Sequence, residues 1–442
     1  MNLADRTTPG FVVAILDWSH LIEDFLDNVG VSLDAFCREL TGGWMFGYVE
    51  ALQRAGCRAV VVCVSDRVKE LTAFRHEPTG ATIYLLPAPA AYRAARRKIP
   101  NPYATNLEEA AGDVRGGSLA WYAVLREVLP YLTTPLKSLA KVLRREGCRA
   151  ILCQEYENPR FDACVLLGRL LGLPVFATFQ GGDWQLSRLE RWVRPLTVRG
   201  CSGLVVATAT EARRLRARYR VPEAKLARVF NPLDVGGWPR EDKAEARASL
   251  SVPTGARVAA WHGRVLMHRK GLDVLLDAWE RVTAERPGAD YRLLLLGTGN
   301  DAAELRRRLA ADRPRRVVWR DQYVNDRAFI RQFLAAADVY VFPSRHEGFP
   351  VAPVEAMAAG LPVIAGDAPG AADILAGGEA VGGILVPVGD VRALATALAT
   401  LLDDPARCQA LGRCARERAE RAFSLEAVGE QLRDFLSRVP AA

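Results

Sequence analysis

The chain is poor in the features that mark secreted, metal-binding and membrane-spanning proteins. Its nine cysteines are scattered from Cys37 to Cys414 without a Cys-x-x-Cys pair, so neither a disulfide framework nor a zinc site is indicated. No uninterrupted apolar run approaches the ~20 residues that a membrane helix needs, and the first residues lack the basic and apolar regions of a signal peptide. We therefore expect a cytoplasmic protein in which most cysteines are small core residues.

Low-complexity runs and short-period repeats are also missing from the 442 residues, of which 50% are hydrophobic and 25% charged. That length and composition favour two globular domains, each large enough to bury its own core. Short apolar runs alternate with helical stretches, which predicts parallel sheets with crossover helices. In the first half the strand-like runs are Phe11 to Leu16, Ala59 to Val64, Ala150 to Cys153, Val175 to Phe179 and Gly203 to Ala207.

The formal net charge of +8 is concentrated in the first half of the chain. Through Asp234 there are 31 basic and 24 acidic residues, a net +7 that leaves +1 for the remainder. Such an excess suits anionic lipid headgroups at the inner face of a membrane, or an acidic glycan, but also an ordinary solvated helix face. No nucleic-acid-binding motif accompanies it, so nucleic acid is not an expected partner. The clusters comprise Arg93, Arg96, Arg97, Lys98, Arg213, Arg214, Arg216, Arg218 and Arg220.

Two carboxylates, Glu347 and Glu355, stand in the segment from Pro343 to Met357. The preceding run from Ala337 to Phe342 is typical of a buried parallel strand, and Val354 to Ala359 are mostly helix formers. Glu347 would then lie in the turn and Glu355 in the first turns of the helix. Such a turn suits phosphate and carboxylates suit vicinal hydroxyls, so the pattern indicates a sugar nucleotide. The alternative is a pair of ordinary surface glutamates.

Two cations flank a second predicted loop. Gly263 and Arg264 follow a predicted strand, while Lys270 and Gly271 precede the amphipathic helix Leu272 to Trp279. A preorganised Arg and Lys can stabilise the negative charge that grows on a departing diphosphate, without a separate metal ion. The sequence contains no Asp-x-Asp motif. The alternative for the two cations is a solvated loop pair.

Together, the Glu-x7-Glu element, Gly263-Arg264 and Lys270-Gly271 resemble the retaining glycosyltransferases of family 4, also called glycosyl transferases group 1. The resemblance implies the GT-B fold: two Rossmann-like doubly wound domains facing each other across a deep cleft, with a C-terminal helix crossing back to the first domain. It places an acceptor-binding domain at 1–234, a nucleotide-sugar domain at 235–423 and the returning helix at 424–442.

The implied reaction moves a hexose from a nucleoside-diphosphate sugar to a hydroxyl acceptor with retention, in the biosynthesis of a cell-surface polysaccharide or glycolipid. No cofactor and no metal would be required. By resemblance, Arg264 and Lys270 stabilise the leaving diphosphate, Glu347 orients the sugar, and Glu355 holds the ribose hydroxyls; Arg264, Lys270 and Glu347 count as catalytic. The expected donor-binding residues are Glu355, Gly348, Phe349, Gly263, Gly42, Gly43, Gln180 and Gly297.

The chain departs from the family pattern at two positions. Gln180 lies where many members have a His, and a Gln side chain cannot carry a proton between groups, so a mechanism that needs a His there is excluded. Pro232 replaces a Gly in the interdomain segment, which implies a different turn.

Glu155 and Glu157 follow the predicted strand Ala150 to Cys153 and are the candidates for acceptor binding. If the strand continued, the two side chains would point to opposite faces. One would then bind acceptor hydroxyls and the other would be solvated, and the sequence does not say which. Ordinary surface charge is the alternative for both.

Two rival functions belong to other classes. The segment Gly297-Thr298-Gly299-Asn300-Asp301-Ala302 fits G-x-G-x-x-A, with Asp321 beyond it, which is typical of an NAD(P)-dependent oxidoreductase. That motif does not explain the two cations or the two carboxylates. A non-catalytic GT-B protein is favoured by the altered Gln180 and Pro232, and a GT-B epimerase or phosphorylase remains open because fold does not fix chemistry.

Overall fold

The computed structural model describes residues 10–41, 43–98, 124, 127–179, 188–239, 241–312, 316–324 and 326–438. The chain divides into two compact units, each organised around one sheet. The first unit comprises Met1–Val206, Thr210–Pro232 and Val428–Ala442, and the second Ala207–Ala209 and Leu233–Ala427.

The first sheet has eight strands: β1 (Val12–Leu16), β2 (Arg58–Ser65), β3 (Thr72–Arg75), β4 (Thr82–Pro87), β5 (Ala150–Cys153), β6 (Val175–Phe179), β7 (Gly203–Val206) and β8 (Leu226–Arg228). Their order is β3-β4-β2-β1-β5-β6-β7-β8, parallel except for the antiparallel edge pair of β3 and β4. Strands β1 and β5 are buried along their whole length. Burial on both faces explains why their sequences are continuous apolar runs without alternation.

The helices up to residue 219 connect these strands. The helix Pro159–Leu171 shows how local sequence sets their limits: the Asn158 side chain accepts a hydrogen bond from the Arg160 amide (2.9 Å), Pro159 occupies the first turn, and Gly172 ends the helix at φ 66°. The helices are α1 (Ile22–Val29), α2 (Leu33–Arg38), α3 (Gly43–Arg54), α4 (Ala90–Arg96), α5 (Leu136–Arg145), α6 (Pro159–Leu171), α7 (Arg188–Gly200) and α8 (Ala209–Tyr219).

The second sheet has six strands: β9 (Arg257–His262), β10 (Tyr291–Leu296), β11 (Val317–Arg320), β12 (Val339–Phe342), β13 (Val363–Gly366) and β14 (Gly383–Val386). All pairs are parallel, in the order β11-β10-β9-β12-β13-β14. The carboxyl ends of β10, β9 and β12 are therefore neighbours at one edge, where open α/β sheets bind their ligands. The helices are α9 (Lys243–Ser249), α10 (Leu272–Glu285), α11 (Ala302–Asp312), α12 (Arg327–Ala335), α13 (Ala352–Ala358), α14 (Ala371–Ile374), α15 (Val391–Asp403) and α16 (Pro405–Ala422).

The last helix, α17 (Leu425–Ser437), is capped by Ser424, whose hydroxyl accepts a hydrogen bond from the Ala427 amide (3.2 Å). From Val428 onward this helix belongs to the first unit. Its Phe435 ring lies 5.5 Å from that of Phe176 in β6. The family resemblance implies such a returning helix.

Local sequence patterns predicted the buried strands well, and the boundaries of β5 and β6 match the expected runs. The prediction for the cysteines is confirmed: all nine are free thiols and eight are buried. Within the described ranges, no helix is both long and apolar enough to cross a bilayer.

Gly429 provides a test of how the last helix docks. A Cβ at this position would lie 2.0 Å from the Ala51 carbonyl oxygen of α3, which is backbone and cannot swing aside. We expect Gly429→Ala to lower the free energy of unfolding by about 2 kcal/mol, because overpacking outweighs the better helix propensity of Ala. Urea unfolding of Gly429→Ala and of the exposed neighbour Glu430→Ala measures this. An unchanged midpoint for Gly429→Ala would contradict the close contact.

Candidate functional site

Three loops meet at the carboxyl edge of the second sheet. They follow β9 (residues 263–271), β10 (297–301) and β12 (343–351), three strands that are adjacent in the sheet. The predicted site residues of the second unit all lie on these loops or in helix α13, which follows the third loop. They are Gly263, Arg264, Lys270, Gly297, Glu347, Gly348, Phe349 and Glu355.

Two glycines allow the loop backbones to touch. Gly271 has φ 66°, and a Cβ there would lie 2.1 Å from the Pro343 carbonyl oxygen. Gly297 has φ 132°, and its Cβ would lie 1.9 Å from the Gly263 carbonyl oxygen. Neither contact leaves room for any other side chain. The β9 loop is therefore packed between the β10 and β12 loops.

The same contact bears on the dinucleotide-binding alternative. In that motif the glycines make room for a pyrophosphate, whereas here Gly297 and Gly299 make room for backbone of the β9 loop, at Gly263 and Val265. Asp321, which would bind a ribose in an oxidoreductase, forms an ion pair with Arg306. The glycines thus have a structural explanation within the second unit.

Lys270 and Glu347 are in direct contact. The Lys270 Nζ donates to Glu347 Oε1 at 2.5 Å, and both side chains are largely buried, with 19% and 9% of their surface exposed. The ammonium also lies 5.8 Å from the centre of the Phe342 ring. The cation predicted for the diphosphate and the carboxylate predicted for the sugar are thus held at one point.

Glu355 has a partner that sequence reasoning did not assign. His262 Nε2 lies 2.9 Å from Glu355 Oε2, although the two residues are 93 positions apart. His262 ends strand β9 and is buried. The available signal was a His at the end of an otherwise apolar strand, directly before Gly263-Arg264.

A bidentate ion pair ties the β12 loop to helix α10. The Arg345 guanidinium donates to both Asp273 carboxylate oxygens at 2.7 Å and to the His268 carbonyl at 2.6 Å, and the Arg345 amide donates to the Arg269 carbonyl at 2.9 Å. Burial alone would raise the pKa of Asp273, but the hydrogen bonds and charge of Arg345 outweigh it and hold that pKa below its usual value. This pair fixes the loop that carries Glu347.

Arg264 is exposed, and its Nη2 donates to Asn300 Oδ1 in the β10 loop at 2.8 Å. The guanidinium is therefore oriented by a neutral amide. Phe349 lies with its ring 6.1 Å from that of Phe423.

The predicted site residues of the first unit, unlike those of the second, are not all described by the structure. Gly43 is the first residue of helix α3, while Gly42 and Gln180 lie outside the described residues. Both Glu155 and Glu157 are buried. The prediction that one of them is solvated is therefore wrong, and so is the alternative that both are ordinary surface charges. Strand β5 ends at Cys153, so the alternation argument does not apply.

The two buried glutamates have hydrogen-bond or ion-pair partners within the first unit. Glu157 pairs with Arg214 of helix α8, and Glu155 Oε1 accepts a hydrogen bond from the Glu157 amide (3.1 Å). Tyr156 between them donates to Glu211 at 2.5 Å. Burial raises the pKa of Glu211 to about 7, against the lowering effect of that hydrogen bond. An arginine more than fifty residues along the chain thus compensates the charge of the buried Glu157.

Buried ion pairs also tie the loops after β1 and β5 together. Arg160 pairs with Asp17, and burial lowers the pKa of Arg160 to about 10. Arg194, fully buried, donates to Asp162 at 3.0 Å and to the Glu157 carbonyl at 2.8 Å. Buried charges require such partners, and they fix the carboxyl edge of the first sheet.

Comparison with known proteins identifies the family. The Glycosyltransferase Family 4 model matches residues 45–236, and the Glycosyl transferases group 1 model matches residues 256–404. The chain belongs to glycosyltransferase family 4. Two solved structures share its fold: trehalose-6-phosphate synthase OtsA (TM-score 0.66, 14% identity, covering 98% of this chain and 100% of that one) and Anabaena HepE in complex with UDP and glucose (TM-score 0.63, 17% identity, covering 97% and 99%). The fold is GT-B.

Curated relatives cover less of the chain. A GDP-mannose-dependent monoacylated alpha-(1-6)-phosphatidylinositol monomannoside mannosyltransferase from Corynebacterium glutamicum is 36% identical over 209 residues, 45% of this chain and 52% of the relative. A lipopolysaccharide core biosynthesis mannosyltransferase from Rhizobium meliloti is 31% identical over 194 residues (42% and 53%), and a D-inositol 3-phosphate glycosyltransferase from Thermobispora bispora is 34% identical over 224 residues (49% and 52%). This family 4 chain spans about half the length of the curated relatives it matches.

The Arg345–Asp273 pair in the family 4 site predicts a pH-dependent stability. Since the folded pKa of Asp273 is lowered, the stabilisation is complete above the ordinary Asp pKa of about 4 and is lost as pH falls through the folded value. We expect Arg345→Met to cost about 1 kcal/mol of unfolding free energy at pH 7, because the pair is partly screened by solvent. The difference from the wild type should narrow below about pH 4.

Arg281→Met is the matched control, because Arg281 pairs with Glu285 on the same helix but about half of each side chain is exposed. Its removal should cost about 0.3 kcal/mol or less. Chemical unfolding of the three proteins between pH 3 and pH 7 gives the comparison. A cost for Arg345→Met that stays constant with pH would rule out the charge of Asp273 as its cause.

Proposed function

We propose that this protein moves a hexose from a nucleoside-diphosphate sugar to a hydroxyl acceptor with retention of anomeric configuration. The observation that carries the proposal is the convergence of two cations and two carboxylates at the edge formed by three adjacent strands. Lys270 and Arg264 supply the cations, and Glu347 and Glu355 the carboxylates. This combination suits a ligand that bears phosphates at one point and hydroxyls at two others.

Lys270 and Arg264 act on the leaving group. As the bond between the anomeric carbon and the diphosphate oxygen breaks, negative charge grows on that oxygen, and fixed cations stabilise it. Lys270 has three N–H donors, so it can bind a phosphate oxygen and keep its bond to Glu347. The acceptor oxygen forms the new bond on the same face of the sugar, and the departing phosphate oxygen takes the acceptor proton.

The two carboxylates act on the sugars. Glu347 is fixed through one oxygen by Lys270, which leaves its second oxygen for hydroxyls of the donor hexose. Glu355 projects from helix α13 and binds the ribose hydroxyls. Gly348 and Phe349 follow Glu347 on the same loop and contribute backbone to the donor site.

The names of the relatives support the donor and acceptor classes. HepE is solved with UDP and glucose, and the Corynebacterium relative is named as GDP-mannose-dependent. The other names include lipopolysaccharide core and inositol phosphate. We propose the same general setting here: a cytoplasmic enzyme that glycosylates a glycolipid or polysaccharide precursor at the inner membrane face, without a cofactor or metal.

A panel of donors tests the proposal directly. In a thermal-shift assay without added metal, one of UDP-, GDP- or ADP-glucose, GDP-mannose or UDP-N-acetylglucosamine should raise the melting temperature of the wild type. At a hundredfold excess over Kd, the gain is about 2.7 kcal/mol. Glu355→Ala should abolish the shift because the ribose loses its acceptor, while NAD(P)H should give no shift.

Glu285→Ala is the matched control, since Glu285 ends helix α10 about 20 Å along its axis from the site. It should keep the full donor-induced shift. A shift by NAD(P)H alone would favour the oxidoreductase, and no shift by any sugar nucleotide at millimolar concentration would refute the proposed donor site.

The leaving-group role makes a separate kinetic prediction. Lys270→Met and Arg264→Met should each lower kcat by about 10²-fold with a smaller change in KM, because the lost interaction is strongest in the transition state. Release of nucleoside diphosphate, measured with the donor from the panel and pooled inositol, oligosaccharide and glycolipid acceptors, reports the rate.

Lys243→Met is the control for this experiment. Lys243 pairs with Asp338 at the amino end of β12, so the same chemical change falls at the opposite edge of the same sheet. Its kcat should stay within about twofold of the wild type. Equal losses in Lys243→Met and Lys270→Met would refute a specific role for Lys270, and donor binding without turnover by the wild type would favour a non-catalytic protein.

A further inference from the structure

We propose that His262 is a positioning residue that orients Glu355 and thereby sets the selectivity of the site for ribose over 2′-deoxyribose in the donor nucleotide. This inference rests on the proposed function, because it assigns Glu355 to the ribose. It adds a residue to which neither the sequence motifs nor the family resemblance gave a role.

The first observation is the contact itself. His262 Nε2 and Glu355 Oε2 lie 2.9 Å apart, with 9% and 18% of the two side chains exposed. A hydrogen bond to an ionised acceptor at this distance and depth is strong and directional. It restricts rotation of the Glu355 side chain about its terminal bonds.

His262 is itself held in place by contacts to its backbone and to its ring. The Tyr340 hydroxyl of β12 accepts a hydrogen bond from the His262 amide (3.3 Å) and donates one to the His262 carbonyl (3.1 Å). Burial raises the pKa of Tyr340 well above its ordinary value, so this hydroxyl stays protonated. The Tyr340 and Phe333 rings pack edge-on against the imidazole, with centroids 5.4 Å and 6.5 Å away. Both the backbone and the ring of His262 are therefore fixed.

The second ring nitrogen of His262 shows which nitrogen carries the proton. His262 Nδ1 is buried and has no hydrogen-bond partner. A neutral ring with its proton on Nε2 fits this arrangement, because it donates to Glu355 and leaves no N–H without an acceptor. The remaining lone pair on Nδ1 still costs free energy. An apolar residue at this strand position would avoid that cost, so the packing of the core does not explain the histidine.

The contact with His262 leaves one oxygen of the Glu355 carboxylate for a ligand. Oε2 is held by His262, while Oε1 accepts no hydrogen bond from the residues that the structure describes. A carboxylate fixed in this way presents Oε1 at one defined position. A vicinal diol can satisfy that position with strong hydrogen bonds, and a ribose that lacks its 2′-hydroxyl loses one of them. A freely rotating Glu355 would adapt to either sugar.

The test compares three substitutions at His262. His262→Gln can place its amide N–H near the position of Nε2, His262→Asn places it near that of Nδ1 and too far from Glu355, and His262→Leu removes the donor. For each protein, Kd is measured for the nucleoside diphosphate of the active donor and for its 2′-deoxy counterpart. The wild type should prefer the ribonucleotide by about tenfold, the value of one hydrogen bond to a charged group.

We expect His262→Gln to retain most of that preference, and His262→Leu and His262→Asn to reduce it to within about twofold. A role confined to packing would change the melting temperature without changing the ratio of the two Kd values. In a Glu355→Ala background, His262→Leu should have no further effect on the ratio, because both changes remove the same interaction.

The same measurements separate a failure of the role of His262 from a failure of the proposed function. A wild type that binds no nucleoside diphosphate overturns both. A wild type that binds and discriminates, with the ratio unchanged in His262→Leu and His262→Asn, overturns the role of His262 alone. Loss of the ratio in His262→Gln as well as in His262→Leu would also contradict positioning through Nε2.

Discussion

The candidate site depends on how closely three loop backbones approach one another at the carboxyl edge of the second sheet. Gly271 lies against the Pro343 carbonyl and Gly297 against the Gly263 carbonyl, at distances that exclude any other side chain. A displacement of one loop must therefore displace its neighbours. This constraint is why polar side chains 77 and 93 residues apart in sequence meet at hydrogen-bonding distance. The parallel register of β10, β9 and β12 brings the loops together, and the glycines let them touch.

The charged groups at this edge are held by protein partners: Lys270 by Glu347, Glu355 by His262 and Arg264 by Asn300. Pairing of this kind lowers the cost of burying the groups and fixes their orientation. It would weaken ligand binding if a ligand had to replace each bond. An ammonium with three donors and carboxylates with a second oxygen can add a ligand bond without losing the first. Preorganisation and binding are then compatible at this site.

Sequence patterns predicted the parts of the molecule that local chemistry decides. Short apolar, β-branched runs identified β5 and β6 because strands buried on both faces need apolar residues throughout. The spacing of Glu347 and Glu355 located the β12 loop. What could not be predicted depends on contacts between distant segments. The pairing of His262 with Glu355 follows from the adjacency of β9 and β12, and the buried Glu157 finds its partner, Arg214, on a later helix. A pattern within one segment carries no information about the other.

Ion pairs inside the first unit determine which residues carry the excess positive charge of the first half. Arg160, Arg194 and Arg214 are counted among its cations, yet each is tied to an acid inside the first unit. An internal pair removes one charge of each sign, so the net +7 through Asp234 is unchanged and must reside in the remaining cations. Among these, Arg97 and Lys98 at the end of helix α4 are exposed. A surface with a net positive charge attracts anionic headgroups from beyond contact distance. The membrane-facing part of the proposed function therefore depends on where the excess cations lie on the surface, since the burial of ion pairs leaves the net charge unchanged.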